Sequence, residues 1–283
     1  MFKSYTFDSQ IQGKHLLILG AVHGNETAGV FAQQEIMQEI KSNKIKLKSG
    51  KITFIPIVNE KANTLDTRFV DENLNRVIKF HQNPSKHEEF IANQLIKKID
   101  EADILLDLHS THCPSDKPFA FIDYPSEENL DFLSIIPVET ALAGWPEIYK
   151  NNQEIENYCT EEYAHQHQKP ALTVECGYHK DEKSIQIAKN SILNALHHFD
   201  IIEGMKPIKF DKKIIQLKEF IIKEKDGYLY KDFNHLDKIK KDGIIATYET
   251  GEVLKAKFDC FIIMPNKGAT IGSEWFYIGK ETL

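Results

Sequence analysis

Arginine is almost missing from this chain of 283 residues: 33 of its 35 basic residues are lysine, and only Arg68 and Arg76 are not. Other absences set the limits of what the chain can be. Four cysteines, Cys113, Cys159, Cys176 and Cys260, stand far apart with no C-x-x-C pair, which excludes a cysteine zinc site and a disulfide frame and predicts reduced, packing thiols. No apolar run approaches the roughly 20 residues of a membrane helix, and the opening MFKSYTFDSQ has no apolar core or small-residue cleavage site, so the cytoplasm is the expected location. There is no G-K-[ST] and no G-x-G-x-x-G, which argues against a nucleotide site. Internal repeats and low-complexity tracts are lacking as well, so solenoids and propellers are out. Residues 1–203 carry a formal charge of −10 and residues 204–283 one of +3. An acidic main body makes nucleic acid an unsuitable partner. The lysines of the tail alternate with acids and read as a solvated face.

What is present is an ordinary globular composition, 41% hydrophobic and 27% charged, enough for one large domain with or without a small one. The runs HLLILG (15–20), ITFIPIV (52–58), ADILLDL (102–108) and PALTVEC (170–176) lack strict alternation, as strands covered on both faces do. Helical patterns fall between them. Residues 27–41 set Ala28, Phe31, Ala32, Ile36 and Ile40 on one stripe, and residues 86–99 do the same with Phe90, Ile91, Leu95, Ile96 and Ile99, opened by a Ser85–Glu88 capping box; a third covers 183–199. This alternation predicts an α/β layer, with a mainly parallel or mixed sheet flanked by helices, over residues 1–203. Beyond Gly204-Met205-Lys206-Pro207 come short strand-like segments parted by Asp226-Gly227, Asp242-Gly243 and Thr250-Gly251, hairpin signals that predict a small all-β domain over 204–283.

The chemistry gathers at strand ends. In L-I-L-G-A-V-H-G-N-E-T-A-G (17–29), His23 and Glu26 follow an apolar strand and can offer an imidazole and a carboxylate to one point. An H-x-x-E pair alone says little, since His179–Glu182 matches it too. His109, at the end of strand 103–108, supplies a third ligand, and two histidines with one carboxylate leave the open position of a catalytic zinc site. Asp107 reads either as the partner that orients an imidazole or as a cap or buried ion pair. Glu175 reads either as a proton-shuttling carboxylate beside the metal or as a rim ion pair, and Gly177 would let a substrate approach the backbone. Lysine bias explains why arginine is scarce but not why Arg68 and Arg76 cluster. A guanidinium fork binds a carboxylate bidentately and stays charged in a dry pocket, so one arginine can face an oxyanion and the other a substrate carboxylate.

Taken together, G-A-V-H-G-N-E-T-A (20–28), the R-x(6)-N-R block of Arg68, Asn75 and Arg76, D-L-H at 107–109 and T-V-E-C-G around Glu175 resemble the succinylglutamate desuccinylase/aspartoacylase family of the zinc carboxypeptidase clan. The resemblance implies one zinc ion per chain held by His23, Glu26 and His109. It also implies that Glu175 is general base and then acid, that Arg68 stabilises the oxyanion, and that Asn75 and Arg76 hold a substrate carboxylate. The implied reaction is hydrolysis of a small N-acyl amino acid; a metallocarboxypeptidase acting on a peptide C-terminus, a zinc esterase and a non-catalytic metal-binding protein are the alternatives. Aspartoacylases carry a further arginine ten residues before the catalytic Glu; this chain has His165 there, with His167 and Lys169 nearby. Tyr277 reads either as a tyrosine reaching into the site, as in some relatives, or as a strand tyrosine at the domain interface. Monomer and homo-oligomer both stay open, and no membrane partner is expected.

Overall fold

The computed structural model describes residues 2–150 and 158–282. Its strands are β1 (Tyr5–Asp8), β2 (His15–Gly20), β3 (Lys51–Ile55), β4 (Ile104–Thr111), β5 (Phe119–Phe121), β6 (Thr140–Ala143), β7 (Ala171–Tyr178), β8 (Lys213–Ile222), β9 (Gly227–Leu229), β10 (Lys238–Ile239), β11 (Ile244–Tyr248), β12 (Val253–Lys255), β13 (Cys260–Ile263) and β14 (Glu274–Glu281). Its helices are α1 (Ala28–Lys41), α2 (Glu60–Thr64), α3 (His87–Glu101), α4 (Glu127–Ser134), α5 (Trp145–Lys150), α6 (Thr160–Gln166) and α7 (Glu182–His198).

The four apolar runs become the centre of a mixed sheet. Strands β3, β2, β4 and β7 lie side by side and parallel, with β1 antiparallel at the edge and β5 antiparallel to β7. Alternation along each strand feeds two cores: Leu16 and Ile18 join α1 and α7, while Leu17 and Leu19 join α3. By the same alternation Asp107, His109, Thr173 and Glu175 all face the α3 and α6 side, and His109 and Glu175 are register partners. Two chemically active side chains are thus fixed next to each other by pleat and register.

The C-terminal strands extend this sheet: β8 pairs parallel with β6, and β14, β13 and β10 follow in antiparallel order. A separate sheet holds β12, β11 and β9. An apolar cluster of Phe119, Trp145 and Tyr149 with Ile215, Phe261 and Tyr277 joins this strand-rich region to the rest. Between them the chain runs along the surface, with Met205 and Ile208 exposed. Of the three hairpin signals, only Thr250-Gly251 connects directly paired strands, β11 and β12. Gly227 instead begins β9, which pairs with β11. No helix of the described residues is long and apolar enough to cross a membrane.

Three local expectations change. Phe31 and Phe90 are exposed, because each falls on the far side of its helix from the arc that meets the sheet. Glu88 does not cap α3. Glu89 does, accepting from Ser85 N at 2.6 Å and Lys86 N at 3.1 Å, while Glu88 turns inward and is fully buried.

Candidate active site

The loop after β2 is shaped by a tight approach. Ala21 adopts φ 43° before His23. A Cβ at Gly24 would come within 2.2 Å of the Ala62 carbonyl carbon in α2, so no other residue fits without moving α2. Gly24 N donates to Arg68 O at 3.1 Å and Asn63 Nδ2 to Gly24 O at 2.7 Å, which ties this loop to the next. That next loop is held by Glu88, which accepts from Asn59 Nδ2 (2.9 Å), Val70 N (2.8 Å), Asp71 N (3.0 Å) and Glu72 N (3.2 Å). These four bonds outweigh the upward push of burial and keep the carboxyl below its ordinary range. The loop ends in a 3₁₀ turn, Leu74–Arg76, seated by buried Leu74.

His23, Glu26 and His109 converge, with one ligand atom from each lying within 4.8 Å of the others. Glu26 Oε1 is 2.9 Å from His23 Nδ1 and Oε2 is 2.8 Å from His109 Nδ1. Each ring also meets an oxygen at its other nitrogen: Asn73 Oδ1 is 2.9 Å from His23 Nε2, and Asp107 Oδ2 is 3.1 Å from His109 Nε2. A neutral imidazole has one proton. If it goes to the outer oxygen, both Nδ1 lone pairs and the Glu26 carboxylate face one another, an arrangement that calls for a cation in the middle. The residues therefore fit a metal of the zinc type, with two nitrogens and one oxygen and no cysteine. Burial, and then the Arg68 guanidinium, press His23 down to about 4. At His109 the opposing carboxylates of Asp107 and Glu26 override burial and raise it well above the usual imidazole range.

Asp107 thus takes the orienting position, steadied by Thr160 Oγ1 donating to its Oδ2 at 2.6 Å. Glu175 Oε2 is buried without a hydrogen-bond partner, and burial, together with the nearby Glu26 charge, lifts the carboxyl to about 8. Just past it β7 advances three positions, from Glu175 to Tyr178, where β4 advances two, from His109 to Thr111, and Gly177 at φ +99° absorbs this bulge. The glycine answers to the strand's geometry as well as to any ligand.

Arg68 Nη1 donates to Glu26 Oε1 at 2.8 Å, with its side chain half exposed. Arg76 pairs with no carboxylate among the described residues: Nη1 donates to Asn75 O at 3.0 Å and Nη2 to Tyr149 Oη at 2.9 Å. Asn75 Oδ1 is buried and without a partner. His23, His109, Glu175, Arg68, Asn75, Arg76 and Tyr277 all line one cavity of about 150 Å³, with Glu26 directly behind the two histidines. Tyr277 is buried in the apolar cluster, with its hydroxyl 3.2 Å from that of Tyr149 and donating to Glu274.

Apart from Tyr277, the far wall of the cavity has no counterpart in the sequence motifs. Asp123 accepts from Gly144 N at 2.8 Å and Trp145 N at 3.0 Å, and Asp123 N donates to Glu161 at 3.3 Å. Burial raises Asp123 to about 7, and burial with the Asp123 charge raises Glu161 well above its ordinary range. Cys159, read as packing, also lines the cavity. His165, His167 and Lys169 do not. His165 is stacked on Tyr124 with ring centroids 4.0 Å apart, His167 is stacked on Tyr163, and Lys169 donates to the carbonyls of Asp100 and Ala102. The decoy pair His179–Glu182 lies at the start of α7, outside the cavity lining.

Comparison with known proteins gives the same picture. The model of the succinylglutamate desuccinylase/aspartoacylase catalytic domain matches residues 12–199. Succinylglutamate desuccinylase of Shewanella frigidimarina (strain NCIMB 400) is 24% identical over 290 residues, spanning 92% of this chain and 80% of the relative. The enzyme of that name from Pseudoalteromonas atlantica is 26% identical over 298 residues, spanning 94% and 81%. Among solved structures, a succinylglutamate desuccinylase/aspartoacylase from Rhodobacter sphaeroides aligns with a TM-score of 0.78 at 16% identity, covering 96% of this chain and 87% of that one. The product-bound ectoine utilization protein EutE from Ruegeria pomeroyi aligns with the same TM-score at 19% identity, covering 98% and 88%. At these identities the structural likeness speaks for the fold.

Proposed function

The chain belongs to the succinylglutamate desuccinylase/aspartoacylase family, and from that premise we propose that it is a zinc-dependent amidohydrolase that cleaves the amide of a small N-acyl amino acid. One observation carries the reading: a convergent His23–Glu26–His109 cluster, an unpartnered Glu175 oxygen and an arginine that pairs with no carboxylate among the described residues meet at one cavity. A zinc ion held by His23, Glu26 and His109 would supply a Lewis acid that polarises the acyl carbonyl and makes a water molecule more acidic.

The side chains supply the rest. Glu175 takes the proton of the attacking water and returns it to the leaving nitrogen, which departs as a neutral amine. Arg68, half exposed beside Glu26, donates to the oxygen on which charge develops. Arg76 and the Asn75 side-chain NH2, whose Nδ2 has one long contact of 3.5 Å to His109 Nε2, receive the substrate's carboxylate, a planar anion that suits a guanidinium fork. Tyr277 contributes its remaining hydroxyl lone pair to the substrate. A cavity of about 150 Å³ favours a small acyl amino acid over a peptide chain.

The test is the zinc-loaded protein against N-acetyl, N-succinyl and N-formyl amino acids and dipeptides, with Glu175→Gln as control. We expect turnover of one acyl amino acid class, and a loss of about a thousandfold in kcat for E175Q with the zinc content unchanged. Full activity in E175Q, or a protein that holds no metal after reconstitution with zinc, refutes the reading.

A further inference from the structure

We propose that Tyr149 is a positioning residue for this reaction: its hydroxyl, confined by Trp145 and Tyr277, fixes the Arg76 guanidinium in the orientation that receives the substrate carboxylate. The inference rests on the role given to Arg76 above.

The argument is one of exclusion. Arg76 Nη2 and Trp145 Nε1 approach Tyr149 Oη at 2.9 and 2.8 Å. A guanidinium and an indole N–H can only donate, so both lone pairs of the Tyr149 oxygen are taken. Among the described residues its own proton is left with one acceptor in reach, Tyr277 Oη at 3.2 Å, and the Tyr277 proton then goes to Glu274 Oε2 at 2.9 Å. Every hydrogen in the chain from Arg76 to Glu274 is thereby assigned. The Tyr149 ring is 2% exposed and meets Phe220 edge-on at 6.1 Å, so the hydroxyl cannot turn away. The guanidinium carbon lies 5.1 Å from the Tyr149 ring centroid, a second hold on the same cation.

Two further points separate positioning from packing. A tyrosine needed only to fill space would be served by its ring, whereas here the oxygen makes three contacts. Among the described residues Arg76's other hydrogen bond goes to the carbonyl of Asn75, its own neighbour in the 3₁₀ turn, so Tyr149 is what ties Arg76 to a distant part of the described fold. Because β14 carries Tyr277 and Glu274, the C-terminal strands brace the carboxylate receptor through Tyr149.

The experiment compares wild type, Y149F, R76A and the double variant, using the acyl amino acid turned over best and an N-acyl amine without the carboxylate. Substrate Kd is also measured by calorimetry in the E175Q background. We expect Y149F to raise KM and Kd about tenfold, the scale of a lost hydrogen bond to a charged group, with kcat within about twofold. Turnover of the N-acyl amine should not change, and the double variant should be no worse than R76A alone. If Y149F and R76A multiply, or if Y149F lowers kcat and leaves KM alone, the inference is overturned while the role of Arg76 stands. If R76A leaves KM unchanged, the Arg76 reading fails and this inference fails with it. Should Y149F not fold, 3-fluorotyrosine at position 149, assayed below neutral pH where its phenol stays protonated, nearly keeps the shape and weakens the acceptor. We then expect KM to rise about threefold, and an unchanged KM overturns the inference.

Discussion

The two walls of the cavity are built in opposite ways. The near wall, His23, Glu26, Arg68, Asn75, Arg76 and His109, comes from strand ends and the loops after them. Most of its members are bonded to one another through Glu26, and the buried carboxylate of Glu88 holds the backbone between Arg68 and Asn75. The far wall, Asp123, Trp145, Tyr149, Cys159, Glu161 and Tyr277, is gathered from four separate segments and joined by tertiary contact. Charge is also treated differently. On the near wall Glu26 faces two histidines and an arginine. On the far wall Asp123 and Glu161 face each other with no cationic partner among the described residues. The first wall is organised around ionised groups, the second around groups that burial drives towards neutrality.

Stability against pH exposes that contrast most strongly. Asp123 loses its proton near 3.8 in the unfolded chain and near about 7 in the folded one. Between those values the unfolded state binds fewer protons, so this group makes the fold less stable as the pH rises. The loss is complete above about 7 and amounts to at most about 4 kcal/mol for a single group, because each pKa unit is worth about 1.4 kcal/mol. Asn keeps the oxygen that accepts from Gly144 and Trp145 but does not titrate. Asp123→Asn should therefore match wild type near pH 4 and become more stable by up to about 4 kcal/mol by pH 8, measured by urea unfolding across that range. Parallel stability curves would mean that the far wall is ionised after all.

On the near wall the sign reverses. Glu88 is held below its ordinary range by four donors, so its contribution is present at neutral pH and disappears as the pH falls through its folded value. Glu88→Gln removes the charge and turns an amide donor towards backbone N–H groups. We expect a loss of about 2–3 kcal/mol at pH 7, the scale of hydrogen bonds to a buried charged group, shrinking towards acid. Because Glu88 holds residues 70–72, the loop bearing Arg68, Asn75 and Arg76 should loosen as well, seen as faster amide exchange there than in β4. A change below about 0.5 kcal/mol, the range of a neutral surface substitution, would show that the loop is held by something else.

The same division explains what the sequence makes readable. Strands β2, β4 and β7 are apolar on both faces, and the groups at their ends, His23, Glu26, His109 and Glu175, stand at short spacings from them. Periodicity and strand-end chemistry single out His23, Glu26 and His109 as a candidate ligand set, whereas Glu175 keeps two readings until the family resemblance is added. Asn73 lies inside the D-E-N-L-N-R block but escapes notice because its task, accepting from His23, depends on a contact 50 residues away. Glu88 sits one turn position from a capping role and needs the folded loop to show that it points inward. Asp123, Tyr149 and Glu161 carry no local signal, since an Asp after a short strand or a Tyr in a short helix is common. The hairpin signals misled for a related reason: turn chemistry at Asp226-Gly227 fixes where the chain bends, whereas pairing of β9 with β11 is decided by packing in the second sheet.

His165 gives the smallest effect and the most direct check on where the near wall stops. By sequence spacing it stands at the position of the additional aspartoacylase arginine, ten residues before Glu175. In the fold it is exposed on α6, its ring lying flat on Tyr124, which in turn donates to Glu162. Sequence spacing carries a role across only if the intervening backbone follows the same path, and here the side chain points away from the cavity. His165→Ala should leave kcat/KM within about twofold for every acyl amino acid tested, since a change there removes no charge and no donor from the cavity. A selective loss of tenfold or more on substrates with a second carboxylate would instead place His165 in the site during turnover. It would also mean that α6 moves to bring it there.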